Sequence, residues 1–180
     1  MGILLNLGRE LVTTGPDGNH GVAAWRVALS VGLPVISLLL LGRAEWVIFV
    51  VFGSFASMYG RDEPRTQRIL HQAEGAGLLI AGVALGSVLA SLQVPIMTLI
   101  LVEAVFAGLA SVLADAARLN PVGPFWAIFA LGACSSVPPA LPFWVPPLLA
   151  AASAAMSVLL SFLIQGGRIR VCERASKSPP

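Results

Sequence analysis

The sequence predicts an all-α, polytopic membrane protein: a bundle of six transmembrane helices with both chain ends on the cytoplasmic side. Three observations predict it. Hydrophobic residues make up 57% of the 180 positions and charged residues 11%, against about one quarter charged in a soluble domain. The apolar residues fall in six long runs separated by short clusters of Arg, Asp, Glu, Gly and Pro, and a hydrocarbon core of about 30 Å asks for about 20 helical residues per crossing. Lys and Arg collect in alternate connections between the runs, and basic residues near span ends are retained inside. One such run on its own would suit the core of a soluble protein, but a chain of this length cannot supply the polar surface to cover six.

The elements follow in order. Residues 1–22 form an N-terminal cytoplasmic segment. Ile3, Leu4, Leu7 and Leu11 share a helical face and suit a short interfacial helix, with an unstructured start as the alternative. The segment lacks the basic start and small-residue cleavage site of a signal peptide. The transmembrane domain covers 23–165, with spans at 23–41, 44–59, 75–92, 94–114, 122–137 and 146–164. Pro34 removes a backbone donor inside the first span and is expected to kink or loosen it near Ser30 and Val31. The segment VPPALPFWVPP, 137–147, holds five prolines and reads as a stiff, extended outer turn. Trp25, Trp46, Trp126 and Trp144 all fall near span ends, where an indole buries its ring and keeps its N–H wet. Residues 166–180 form a basic tail, expected to be disordered.

With the amino terminus inside, the inner segments hold Arg9, Arg26, Arg61, Arg65, Arg68, Arg118, Arg168, Arg170, Arg174 and Lys177, and the outside holds only Arg43. This bias also bears on the fifth run, which is short and flanked by proline. A re-entrant hairpin there would export the tail and its four positive charges, so a full crossing with local thinning of the bilayer is expected.

The net charge of +2 is a by-product of this topology. The partner implied is the lipid bilayer of the plasma membrane, and no nucleic acid is implied. Cys134 lies inside the fifth span and Cys172 in the tail, at different depths in a reducing setting, so no disulfide is expected. His20 and His71 lie in polar flanks, and the chain has no HExxH and no Cys-based metal spacing. Neither GSFAS nor GACSS has a His inside a span to activate its serines. No enzyme, metal or cofactor is expected.

Lipid tails are as apolar as Leu, so membrane helices associate through close backbone approach and interhelical hydrogen bonds. Small residues at four-residue spacing mark three contact faces: Gly82, Gly86 and Ala90 in the third span, Gly53 and Ser57 in the second, and Ser153, Ser157 and Ser161 in the sixth. Packing within the chain is the first reading of these faces and a dimer seam the second.

One residue does not fit an apolar run. In LILVEAVFAG, Glu103 is the only charged residue between 94 and 114 and sits near mid-span. An ionised acid there costs about 2.5–3.5 kcal/mol on insertion scales, so Glu103 is expected to face the bundle interior. A bound proton, a hydrogen-bonding neighbour or a water-filled cavity would each relieve the penalty. In the functional reading Glu103 takes up and releases a proton during transport; in the structural one it is a protonated acid clasping a neighbouring helix. Arg26 is the candidate counter-charge, although it lies one turn into the first span, where its head suits the interface better. Arg26 together with Arg61, Arg65 and Arg68 would make a cytoplasmic vestibule that attracts organic anions, and topology alone also calls for basic residues there. Asp115 and Arg118 read as a surface pair of little energy.

Two stretches resemble a known family. RVALSVGLPVISLLLLGRAEWVIFVVFGSFASMYGRDEPRTQR, 26–68, resembles the opening hairpin of the fusaric acid resistance protein-like (FUSC) family in its actinobacterial form, and ADAARLNPVGPFWAIFALGACSSVP, 114–138, resembles its fourth-to-fifth span connection. The markers are the YGR turn with its basic loop and the turn that begins at Arg118 and Leu119. The resemblance covers residues 23–165 and carries no ligand residues over. The family is similar in membrane architecture to bacterial aromatic acid exporters and plant malate channels, which implies passage of small organic anions or drug-like compounds. Longer members carry a second membrane half and a large cytoplasmic domain, so a single six-helix block implies a homodimer or a separately encoded second half. The expected function is a transporter or half-transporter exporting small organic compounds, proton-coupled through Glu103. The alternative is a non-transporting accessory or scaffold protein of the cell envelope. A transporter needs a polar path past Glu103, whereas a scaffold is close-packed there.

Overall fold

The computed structural model describes residues 20–60, 65–119, 123–139 and 141–176, with backbone alone at 20–27, 65–66, 161 and 163–176. It is all-helical, with no strand among the described residues. The α-helices are α1 (His20–Leu40), α2 (Val47–Ser54), α3 (Arg65–Leu92), α4 (Ile96–Ala116), α5 (Phe125–Ser135) and α6 (Val145–Ser176). Short 3-10 turns at Ala44–Trp46 and Phe55–Met58 extend α2 at both ends.

The helix ends follow from turn chemistry. α1 stops where Gly42 takes φ +69 and the Arg43 N–H donates back to the Leu38 carbonyl at 2.9 Å, a left-handed cap that satisfies an orphan carbonyl. α4 ends the same way, with Arg118 at φ +52 and the Leu119 N–H on the Ala114 carbonyl at 2.9 Å. α1 stays helical through Pro34, and Ser30 one turn before it is fully buried. The proline-rich stretch is only partly an extended turn: α6 begins at Val145 and takes Pro146 and Pro147 into its first turn. Proline costs little there, because the first N–H groups of a helix have no partner to lose.

Three bounds differ from the sequence reading. α3 begins at Arg65 rather than near 75, because Arg, Gln and Leu in that polar stretch are good helix formers. The α6 backbone continues to Ser176, past 165 where the membrane domain was expected to end; no proline interrupts it, and each added residue adds a hydrogen bond. α5 has only 11 residues, about 16 Å at 1.5 Å per residue. The expected interfacial helix lies outside the described residues.

Glycine sets the closest contacts. A methyl group built at Gly82 would strike the Ala127 carbonyl, and one at Gly86 would lie 2.6 Å from the Leu131 carbonyl and 2.8 Å from Cys134 Cβ. α3 and α5 therefore run parallel with backbones nearly touching. On the other side of the bundle, Gly53 of α2 abuts the Ala150 carbonyl and Ser153 Oγ of α6. Helices adjacent in sequence run in opposite directions, so α1 starts and α6 finishes at the same end. That end holds Tyr59, whose ring covers Gly75 and whose hydroxyl donates to the Gly123 carbonyl at 3.0 Å. The opposite end holds Trp46, Pro138, Pro139 and Pro146 around one small cavity. α5 starts beside Phe55 at the tyrosine end and leads to Val137 at the proline end, so its segment passes between the ends and does not double back.

Among the described residues two stretches are long and apolar enough to cross a bilayer: Gln67–Leu92, with mean hydropathy 2.0, and Ile96–Ala116, with 2.3. The second buries only Phe106, Ala110 and Ala114. Its outward face carries Met97, Leu101, Val105 and Val112, an apolar surface suited to lipid contact.

The glycine contacts make a sharp test by thermal unfolding of the purified protein. Gly82→Ala and Gly53→Ala push Cβ into backbone and should each destabilise by ~1–3 kcal/mol. Gly77→Ala and Gly108→Ala, which meet nothing within 4 Å, should be neutral or gain up to ~1 kcal/mol from helix propensity. Tyr59→Phe should lose ~1 kcal/mol with its hydrogen bond.

Candidate functional site

The inward stripe of α4 is Leu99, Glu103, Phe106, Ala110 and Ala114, at the three- and four-residue spacing of one helix face. Phe106 and Ala110 pack with Leu89, Ala127 and Leu131 of α3 and α5. Glu103 shares this face, and its side chain is half-buried in the interior.

Gly132 of α5 makes the room. A methyl group there would lie 2.7 Å from Glu103 Oε1, so the carboxylate rests where any other residue would place its Cβ. Among the described residues the carboxylate makes no hydrogen bond and no ion pair. The next turn of α5 is polar: Ser135 Oγ and Ser136 Oγ both donate to the Gly132 carbonyl, at 2.8 and 2.9 Å. Their protons are thereby used, and their oxygens remain acceptors.

Ser135 and Ser136 stand in the wall of a cleft of about 300 Å³, with Leu89, Gln93, Val94 and Leu99 opposite. Leu99 is four residues before Glu103, so the carboxylate lies about 6 Å further along the same face, below the inner end of the cleft. The cleft opens at the proline end, beside the turn where Gln93 takes φ +47. A second cavity of about 40 Å³ lies on the other side of α5, against Trp46, Phe49, Ser87 and Cys134. It has room for a few waters only.

Few charges lie near Glu103. α5 carries none. On α3 the Gly86 level faces Leu131 and Cys134, so Arg68, His71 and Glu74 are displaced toward the tyrosine end, Glu74 by twelve residues or about 18 Å. At the proline end Arg43 is held by Glu45 at 3.7 Å and lies 4.9 Å over the Trp46 ring.

Only some of the expected site residues have described side chains. Arg26 and Arg65 are described in backbone only, and Arg61 lies outside the described residues. Arg68 is 8% exposed, and its Nε donates to the Gly60 carbonyl at 3.0 Å, which fastens the Tyr59–Gly60 turn to α3. Asp115 and Arg118 form no ion pair, because Arg118 sits in the left-handed cap beyond the helix. Gly53, Ser57, Gly82, Gly86, Ser153 and Ser157 are all buried. The glycines make contacts within the chain, whereas Ser57 and Ser153 donate to the carbonyls of Ser54 and Ala150 in their own helices, both at 3.0 Å. Sequence reasoning did not find Gln93, Gly132, Ser135 and Ser136. GACSS carries the signal, but Gly132 matters only because Glu103 faces it.

Compared with protein-family models, curated proteins and solved structures, the chain has no match. Fold and site together define an all-helical protein with two helices suited to a bilayer and an interior carboxylate below an open cleft.

Gly132→Ala tests the niche. Only the end of a flexible side chain has to move, so stability should change by less than ~0.5 kcal/mol. Labelling of Glu103 by a lipophilic carbodiimide in membranes should nevertheless change in rate, because the carboxyl is displaced.

Proposed function

We propose that the chain is a multi-pass plasma-membrane transporter, or half of one, that exports small organic compounds and couples their movement to protonation of Glu103. The observation that carries this reading is the Glu103 carboxylate itself: interior, without a hydrogen bond or ion pair among the described residues, and one turn below a cleft of about 300 Å³. An intramembrane acid of this kind is a functional group by default. In the proposed topology the chain crosses six times with both ends inside, as ten of its eleven basic residues favour, and the cleft opens outward. In this reading α4 is the element that moves. It packs on α5 and touches α3 only slightly, and its shift relative to α5 alternately covers and uncovers Glu103.

Membership of the FUSC family and pairing with a second copy or a separately encoded half belong to the same proposal, on the strength of the two sequence stretches. The scaffold reading draws on the outward face of α4, which is apolar and exposed at Met97, Leu101, Val105 and Val112 and suits a protein neighbour as well as lipid.

Uptake into inverted vesicles under an imposed proton gradient, with a panel of aromatic acids and amines, tests the proposal. Wild type should accumulate substrate, and Glu103→Gln, inserted at the same level, should fall to the background of empty vesicles. Equal uptake by both would remove Glu103 from coupling. No uptake by either would favour the scaffold.

A further inference from the structure

We infer that the cleft beside Glu103 takes organic cations: a monovalent amine, phosphonium or similar positive group carried on an apolar body. This rests on the transporter reading and names its substrate class. Passage of an organic anion needs a positive group near the binding surface. Among the described residues none stands there. Arg68 is committed to the Gly60 carbonyl at the opposite end. Arg118 is fifteen residues down α4 from Glu103, about 22 Å away along the helix. Arg43 lies exposed at the proline end, with Glu45 and Trp46 already on its guanidinium.

The cleft instead offers what a cation needs. Leu89, Val94 and Leu99 supply an apolar wall. The hydroxyls of Ser135 and Ser136 have spent their protons on Gly132, so they face a ligand as acceptors. Gln93 adds an amide oxygen at the mouth. Among the described residues the one formal charge within a helical turn of the cleft is the Glu103 carboxylate, which rests against the bare backbone of Gly132. The groups facing it from α5 are uncharged, and Arg68, His71 and Glu74 of α3 are at the far end. A cation in the cleft and a proton on Glu103 therefore compete for one negative charge, which makes exchange of one for the other the coupling step. The carboxyl O–H is the one covalent bond that breaks: its proton passes to water as the cation arrives, and the charge of the site is conserved.

Equilibrium binding of tetraphenylphosphonium and of benzoate to the full chain in lipid nanodiscs tests this. Tetraphenylphosphonium does not titrate, so any pH effect belongs to the protein. The expected result is saturable binding that weakens as pH falls, is reduced at least about tenfold in Glu103→Gln, recovers in part in Glu103→Asp, and is not displaced by benzoate. Leu99→Trp, which fills the cleft without touching the carboxylate, should also abolish binding while the melting temperature is kept. If benzoate binds in a Glu103-dependent manner and the phosphonium does not, the charge class is wrong and the transporter reading survives. Equal phosphonium binding by wild type and Glu103→Gln places the ligand elsewhere and overturns the inference. If neither compound binds and vesicles transport nothing, both readings fall.

Discussion

The contact on which the rest of the structure depends is the backbone approach of α3 to α5 at Gly82 and Gly86. In a bilayer, helices have no hydrophobic reason to associate, so contact area and close packing would have to hold them. α5 has only 11 residues with which to make that contact. Where α3 has no Cβ, the Ala127 and Leu131 carbonyls come within touching distance, and the short helix gains a density of contacts that its length would otherwise deny it. The same approach fixes the height of α5 along the bundle. That height places Gly132 opposite Glu103 and brings Ser135 and Ser136 to the cleft wall.

The site is thus a consequence of packing. Four elements, α2, α3, α5 and α6, interlock through glycine and small residues, and the Tyr59–Gly123 and Arg68–Gly60 hydrogen bonds tie their loops at one end. α4 stands outside this core with most of its surface apolar and uncovered. Of its two acidic residues, Glu103 and Asp115, it brings Glu103 to the interior on the stripe that Phe106 and Ala110 anchor. In the proposed mechanism, a proton or a ligand at the seam between this frame and α4 would shift the balance between two positions of α4.

Much of this was legible in the residues. The apolar runs locate all six helices, because period and length are set by the backbone whatever the solvent. The spacing of Gly82 and Gly86 marks the seam, and an isolated carboxylate in LILVEAVFAG has to face inward. The remainder was hidden for physical reasons. Arg68 looks like a surface charge until the turn at Gly60, φ +62, brings a carbonyl to it. Pro146 and Pro147 read as helix breakers, yet they are harmless in a first turn. The polar stretch at the start of α3 carries no apolar stripe, so its helicity rests on propensity alone. Gly132 belongs to no repeat; its role is defined by a partner 29 positions earlier, which a local pattern cannot reveal.

The central claim is that helices alternating in direction thread a bilayer, so the two ends of α4 lie on opposite faces of the membrane. Gln93 and Ala116, both exposed and at opposite ends of α4, can each be replaced by cysteine in a Cys134→Ala, Cys172→Ser background. The labelling reagent is a membrane-impermeant maleimide applied to intact cells. The account requires Gln93→Cys to react at once and Ala116→Cys to react only after permeabilisation. Equal labelling of both from the outside would contradict it.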